Sequence, residues 1–96
     1  MAVYVDDARI SWRGRRWSHL VADTATELHA AAQALGVPRA AAQDRGRTLH
    51  YDLPDKLRDR AIAEGVAEPI HWRELGRLRA SMAPGARSRA RATGGT

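Results

Sequence analysis

Polar and apolar residues alternate from Thr48 to Leu53, with Thr48, His50 and Asp52 on one side and Leu49, Tyr51 and Leu53 on the other. A period of two marks a half-buried strand. Residues 17–22 repeat the pattern: Trp17, His19 and Val21 point one way, Ser18, Leu20 and Ala22 the other. Residues 2–5 read as a short first strand that stops at Asp6 and Asp7. No helix fits between residues 5 and 17, so the first two strands are expected to pair antiparallel, as a hairpin does.

A helical period takes over after Asp23. Thr24 followed three residues later by Glu27 is a capping box. Leu28, Ala31, Ala32 and Leu35 then form one apolar stripe, and Gly36 with Pro38 ends the helix. Pro54 suits the first position of a second helix, which runs to Glu64 and closes at Gly65. Leu57 and Ala61 face inward, and Asp55, Lys56, Arg58, Asp59 and Arg60 read as a solvated face. Residues 66–71 hold a short edge strand limited by Pro69. Residues 72–82 read as a third helix through Leu75, Leu78 and Met82. Residues 37–47 are too short between Pro38 and Gly46 for a regular helix, although Ala40, Ala41 and Ala42 favour one.

These elements describe a small α/β domain over residues 1–83, with a three- to four-stranded mixed sheet and two to three helices. Strand 17–22, helix 25–35 and strand 48–53 would make one βαβ unit with a right-handed crossover. Residues 84–96 contain Gly, Ala, Arg, Ser and Thr without a large apolar side chain and read as a disordered tail.

Composition thins the core. Of 96 residues, 44% are apolar, but none is Phe, and alanine supplies much of that total. A thin core favours completion by a partner or a second copy of the chain. The net charge is +5, and all the basic residues except Lys56 are Arg. Guanidinium suits phosphate, yet Arg87, Arg89 and Arg91 place three of those charges in the tail. Without cysteine there is no disulfide and no thiolate metal site. No membrane-length apolar run and no charged start before an apolar stretch is present, so the expected location is the cytoplasm.

Several blocks occur in order: Ala2-Val3-Tyr4-Val5-Asp6-Asp7, Trp17-Ser18-His19-Leu20, Ala22-Asp23, Glu27-Leu28-His29, Leu35-Gly36 and His50-Tyr51-Asp52-Leu53. Over residues 2–65 the chain resembles a family of small bacterial and phage proteins catalogued as a domain of unknown function. The resemblance implies a common fold and no particular activity. It also implies two large aromatics where this chain has Ala41 and Ala42.

The chemistry-bearing residues are Asp6, Asp7, His19, Asp23, His29, His50 and Asp52. Imidazole with carboxylate suits a divalent metal or general acid–base work. If strands 17–22 and 48–53 ran parallel, Asp23 and Asp52 would share a sheet end, with His29 one turn into the intervening helix. His50, Asp52, Asp23 and His29 are therefore the first candidates as catalytic residues or metal ligands, with Asp6, Asp7 and His19 secondary. An antiparallel first strand would carry Asp6 and Asp7 away from them, towards Trp17 and His19. Arg16 and Arg47 are the nearest candidates for binding phosphate.

Each residue also has an ordinary structural role available, such as supporting a helix start or pairing across the sheet. Three functions stay open. One is a His/Asp-site hydrolase, metal-dependent or not, acting on a phosphodiester or related phosphate. Another is a nucleic-acid-binding module using the Arg- and Trp-bearing stretch 9–16 and the Arg tail. The third is a protein-interaction domain with structural histidines.

Overall fold

The computed structural model describes residues 2–44 and 48–81, with side chains through residue 78. Arg47 and the tail 84–96 lie outside the described residues. Five strands form one mixed sheet: β1 (Val3–Val5), β2 (Ile10–Trp12), β3 (Arg15–Ala22), β4 (Tyr51–Pro54) and β5 (Glu68–Pro69). Three helices accompany them: α1 (Ala25–Ala34), α2 (Asp55–Ala63) and α3 (Trp72–Ser81). One turn of 3-10 helix (Arg39–Ala41) lies in the connection from α1 to β4. The α/β class is as the sequence indicates, with one strand more than expected.

The extra strand is β2, inside the arginine-rich stretch. Arg13 and Gly14 both have positive φ, 52° and 75°. Two such residues make the tight turn whose twist matches a hairpin, and it folds β2 onto β3. The usual Asn-Gly or Asp-Gly signal is replaced here by Arg-Gly.

β3 is the axis of the sheet. Trp17 pairs with Ile10 on one side and Pro54 on the other; Leu20 pairs with Val5 and Tyr51. β1 and β2 therefore share one edge of β3, and β4 takes the other. Between β1 and β2, residues 6–9 oppose only Ser18 and His19, a bulge. β5 lies parallel to β1 on its far side.

All three partners of β3 are antiparallel to it, including β4. This corrects the βαβ unit expected over residues 17–53. The long connection after α1 carries the chain back to the end of the sheet where β3 finished. The backbones of Gln43 and His50 bridge there, and β4 starts opposite Leu20. A parallel strand would have needed to start at the other end. The parallel relation falls instead on β4 and β5, joined by α2.

Helices α1 and α2 cover one face. Leu28, Ala31, Ala32 and Leu35 from α1 and Ala61 from α2 pack on Val5, Leu20, Ala22, Tyr51 and Leu53. α1 begins as its sequence indicates: the Glu27 backbone N–H donates to Thr24 Oγ1 at 3.2 Å. It ends at Gly36, whose φ of 76° favours glycine. Tyr51 is the largest fully buried side chain, filling the space that a chain without Phe would otherwise leave open.

The charged face of α2 is not wholly solvated. Arg58 is 9% exposed, and its Nε donates to the Asp6 carbonyl at 2.7 Å. A buried, charge-assisted bond of this kind is worth about 1.5–3 kcal/mol. The nearby pair of Arg60 Nε and Glu64 Oε2, at 2.9 Å, lies in solvent and contributes about 0.3–0.5 kcal/mol. In urea unfolding, Arg58→Ala is expected to lose at least about 1.5 kcal/mol. Arg60→Ala is expected to lose under about 0.5 kcal/mol. Equal losses would contradict the burial argument.

Candidate metal centre

Strand alternation sends His19 and Asp52 to the face opposite α1 and α2. They are direct cross-strand partners, and His50 precedes Asp52 by two residues. The His19 and His50 rings have centroids 5.5 Å apart. One ligating atom from each of His19, His50 and Asp52 lies within 4.8 Å of the others, the only such metal-competent trio found among the described residues.

Each of the three has an outer partner that orients it. His19 Nδ1–H donates to Asp6 Oδ2 at 2.7 Å, which puts the ring's lone pair on Nε2. His50 Nδ1–H donates to the Thr48 carbonyl at 3.0 Å, again leaving the lone pair on Nε2. Gln43 Nε2 donates to Asp52 Oδ2 at 2.9 Å, so Oδ1 is the carboxylate oxygen turned towards His50. His50 Nε2 and Asp52 Oδ1 stand 3.6 Å apart. With neutral imidazole, both atoms offer electron pairs and no proton lies between them. A proton on His50 Nε2 or a cation between the two atoms would relieve that contact. Bonds of about 2.0–2.2 Å place two ligands of one ion at most about 4.4 Å apart, so the trio stands within a small side-chain shift of the spacing one ion would need.

The Asp6 carboxylate is 1% exposed and fully committed. Oδ1 accepts from the backbone N–H groups of His19 at 2.8 Å and Ala8 at 3.2 Å, while Oδ2 accepts from the His19 ring. Burial alone would raise its pKa. The bonds from His19 and Ala8 outweigh burial and hold it below the ordinary 3.8. Within the same bulge, Ser18 Oγ accepts the Arg9 N–H at 3.3 Å, and Asp7 Oδ1 accepts the Trp72 N–H that starts α3.

The trio opens onto a cleft of ≈ 630 Å³. Ile10, Trp12 and Trp17 from the hairpin form one wall, and Ala40 to Asp44 form another. The segment where the family resemblance departs is therefore part of the cleft.

Two of the first candidates lie elsewhere. The Asp23 carboxylate accepts the Ala2 N–H at 3.0 Å, where β1 meets the end of β3. It stands four residues along β3 from His19, about 13 Å in an extended strand. His29 is on the core face. Its Nδ1 and the Tyr51 hydroxyl are hydrogen-bonded at 2.7 Å, and burial, followed by the Arg39 charge, lowers the His29 pKa. The parallel arrangement that would have gathered Asp23 with Asp52 does not form. Asp6 does lie beside His19, as an antiparallel first strand requires. Because β4 is antiparallel too, the two polar groups meet at His19. Arg16, on the opposite face, pairs with Asp55 at 3.2 Å. Gln43 was not among the candidates; only the bridge that folds it beside His50 identifies it.

A family model described as a protein of unknown function, DUF4031, matches residues 3–82. The chain belongs to this family. No curated protein and no solved structure matches it. The DUF4031 match runs from the first residue of β1 to just past α3, and so contains the trio, Asp6 and Gln43. No helix among the described residues is long and apolar enough to cross a membrane.

The depressed Asp6 pKa sets a pH dependence. A carboxyl with a lower pKa folded than unfolded stabilises the fold fully above its unfolded value. That contribution is lost as pH falls through the folded value. Urea unfolding from pH 7 down to pH 3 is expected to show a steep acid loss in the wild type. Asp6→Asn is expected to be less stable at pH 7 and to show a flatter acid limb. An unchanged slope in Asp6→Asn would assign the acid sensitivity to other carboxylates.

Proposed function

We propose that this DUF4031 protein is a divalent-metal-dependent hydrolase acting on phosphodiesters, with the ion held by His19, His50 and Asp52. The observation that carries the reading is the trio itself, each member oriented by an outer hydrogen bond: His19 donates to Asp6, His50 donates to the Thr48 carbonyl, and Asp52 accepts from Gln43. Two imidazoles and one carboxylate suit zinc, manganese or iron. Three protein ligands leave positions for a water and a substrate oxygen. An ion held there would supply a lowered pKa to a bound water and offset charge on the phosphoryl oxygens. The water oxygen would bond to phosphorus as the bond to one ester oxygen breaks, and the proton lost by the water would end on the departing oxygen as an alcohol.

Asp6 would act through His19, since a carboxylate on the far ring nitrogen fixes the tautomer and strengthens the ligand. The phosphate class is supported by the hairpin arginines. Arg13 lies over the ring of Trp12, a cleft-wall residue, and Arg15 is the cross-strand partner of Trp12. They replace Arg16, whose carboxylate partner and position turn it away.

Calorimetric titration with Mn²⁺ and Zn²⁺ and hydrolysis of bis(4-nitrophenyl) phosphate test the reading. One ion per chain is expected, with metal-dependent turnover. His50→Ala and Asp52→Ala should abolish both, whereas His29→Gln should retain metal binding. Asp6→Asn should weaken metal affinity by about 10–100-fold. Absence of binding and of thermal stabilisation with either ion would sink the proposal.

A further inference from the structure

We infer that the substrate is a single-stranded nucleic acid, with one base stacked on Trp12 and its phosphodiester at His19, His50 and Asp52. This names the substrate of the site above and rests on the hydrolase reading. Its own support is the hairpin wall. Trp12 is 58% exposed and Ile10 53%, in a chain with three tryptophans and no Phe to build its core. Burying an aromatic ring is one of the largest gains available to a small core, yet this one stays in water.

The backbone that carries the exposed ring is anchored. It enters the tight Arg13-Gly14 turn. Its carbonyl accepts the Trp17 Nε1–H at 2.9 Å, and the two indoles meet edge to face with centroids 6.2 Å apart. The Arg13 guanidinium lies 4.6 Å from the Trp12 centroid. An exposed aromatic ring with a guanidinium over one side suits a single strand, which can stack a base on the uncovered side and place a phosphate by the arginine. A duplex keeps its base faces stacked internally and offers none to Trp12.

Spacing argues for a strand over a free phosphate. Trp17 and His19 are alternate residues on one face of β3, about 6–7 Å apart. Trp12 lies a further 6.2 Å ring to ring beyond Trp17. A ligand that engages both Trp12 and the trio must extend along the cleft. The charge fits as well, since Arg13 lies over the Trp12 ring and Arg15 is the cross-strand partner of Trp12.

The test uses the full-length chain in EDTA and fluorescence anisotropy of labelled 12-nucleotide single strands, RNA and DNA, against the matching duplexes. Single strands should bind more tightly than duplexes, and Trp12→Ala should weaken them by about tenfold while leaving duplex binding unchanged. Trp12→Phe should restore most of the loss, and Trp12→Ala should keep wild-type metal affinity. Equal binding of strand and duplex, or no effect of Trp12→Ala on a folded protein, overturns the inference. Strand binding without metal binding would instead overturn the hydrolase reading and leave a binding module. Metal binding without strand preference would overturn the substrate alone.

Discussion

A carboxylate buried at a break in the sheet holds this molecule together. Asp6 lies where β1 leaves its ladder, and its oxygens take up two backbone N–H groups and one imidazole N–H. Left unpaired, such a group would be expensive to bury. Fully bonded, it lets four residues stand opposite two while taking up the N–H groups of Ala8 and His19. The bulge then serves as a hub. Arg58 of α2 binds its backbone, and Asp7 caps the start of α3. The same residue that closes the bulge also fixes which nitrogen of His19 carries a proton. Local backbone repair and preparation of a ligand are one set of hydrogen bonds.

The two faces of the sheet divide the histidines by role. On the core face, His29 satisfies the hydroxyl of Tyr51, the largest buried side chain. On the other, His19 and His50 stand beside Asp52 in an open cleft. Tyr51 separates His50 from Asp52 in the chain, so a single strand contributes to both functions by alternation. The direction of β4 decides the membership of the group. Antiparallel pairing sets Asp52 opposite His19, whereas a parallel strand would have brought it towards Asp23.

Local features were legible in the sequence because their causes are local. Thr24 and Glu27 cap α1, Gly36 ends it, and the alternation in residues 17–22 and 48–53 sorts side chains onto the correct faces. His50 and Asp52 were recognisable for that reason. Strand direction depends on where a long connection returns, and nothing within residues 35–50 announces that. Alternation alone therefore leaves His19 secondary and groups Asp23 and His29 with residues that the antiparallel sheet keeps apart from them. Arg58 resembled its charged neighbours because the carbonyl it binds lies fifty-two residues away. The Arg13-Gly14 turn lacked the common side chains for positive φ.

The bridge between Gln43 and His50 has a consequence for how the chain tolerates change in length. Surface connections usually accept insertions and deletions at little thermodynamic cost. This one positions His50, supplies the amide that orients Asp52 and forms a wall of the cleft. A one-residue deletion between Ala40 and Gln43 would shift the bridge register and turn the Gln43 amide to the other side of its strand. The fold could survive such an edit while the cleft lost its shape. In this protein the most loop-like segment is therefore the one whose length is most tightly set.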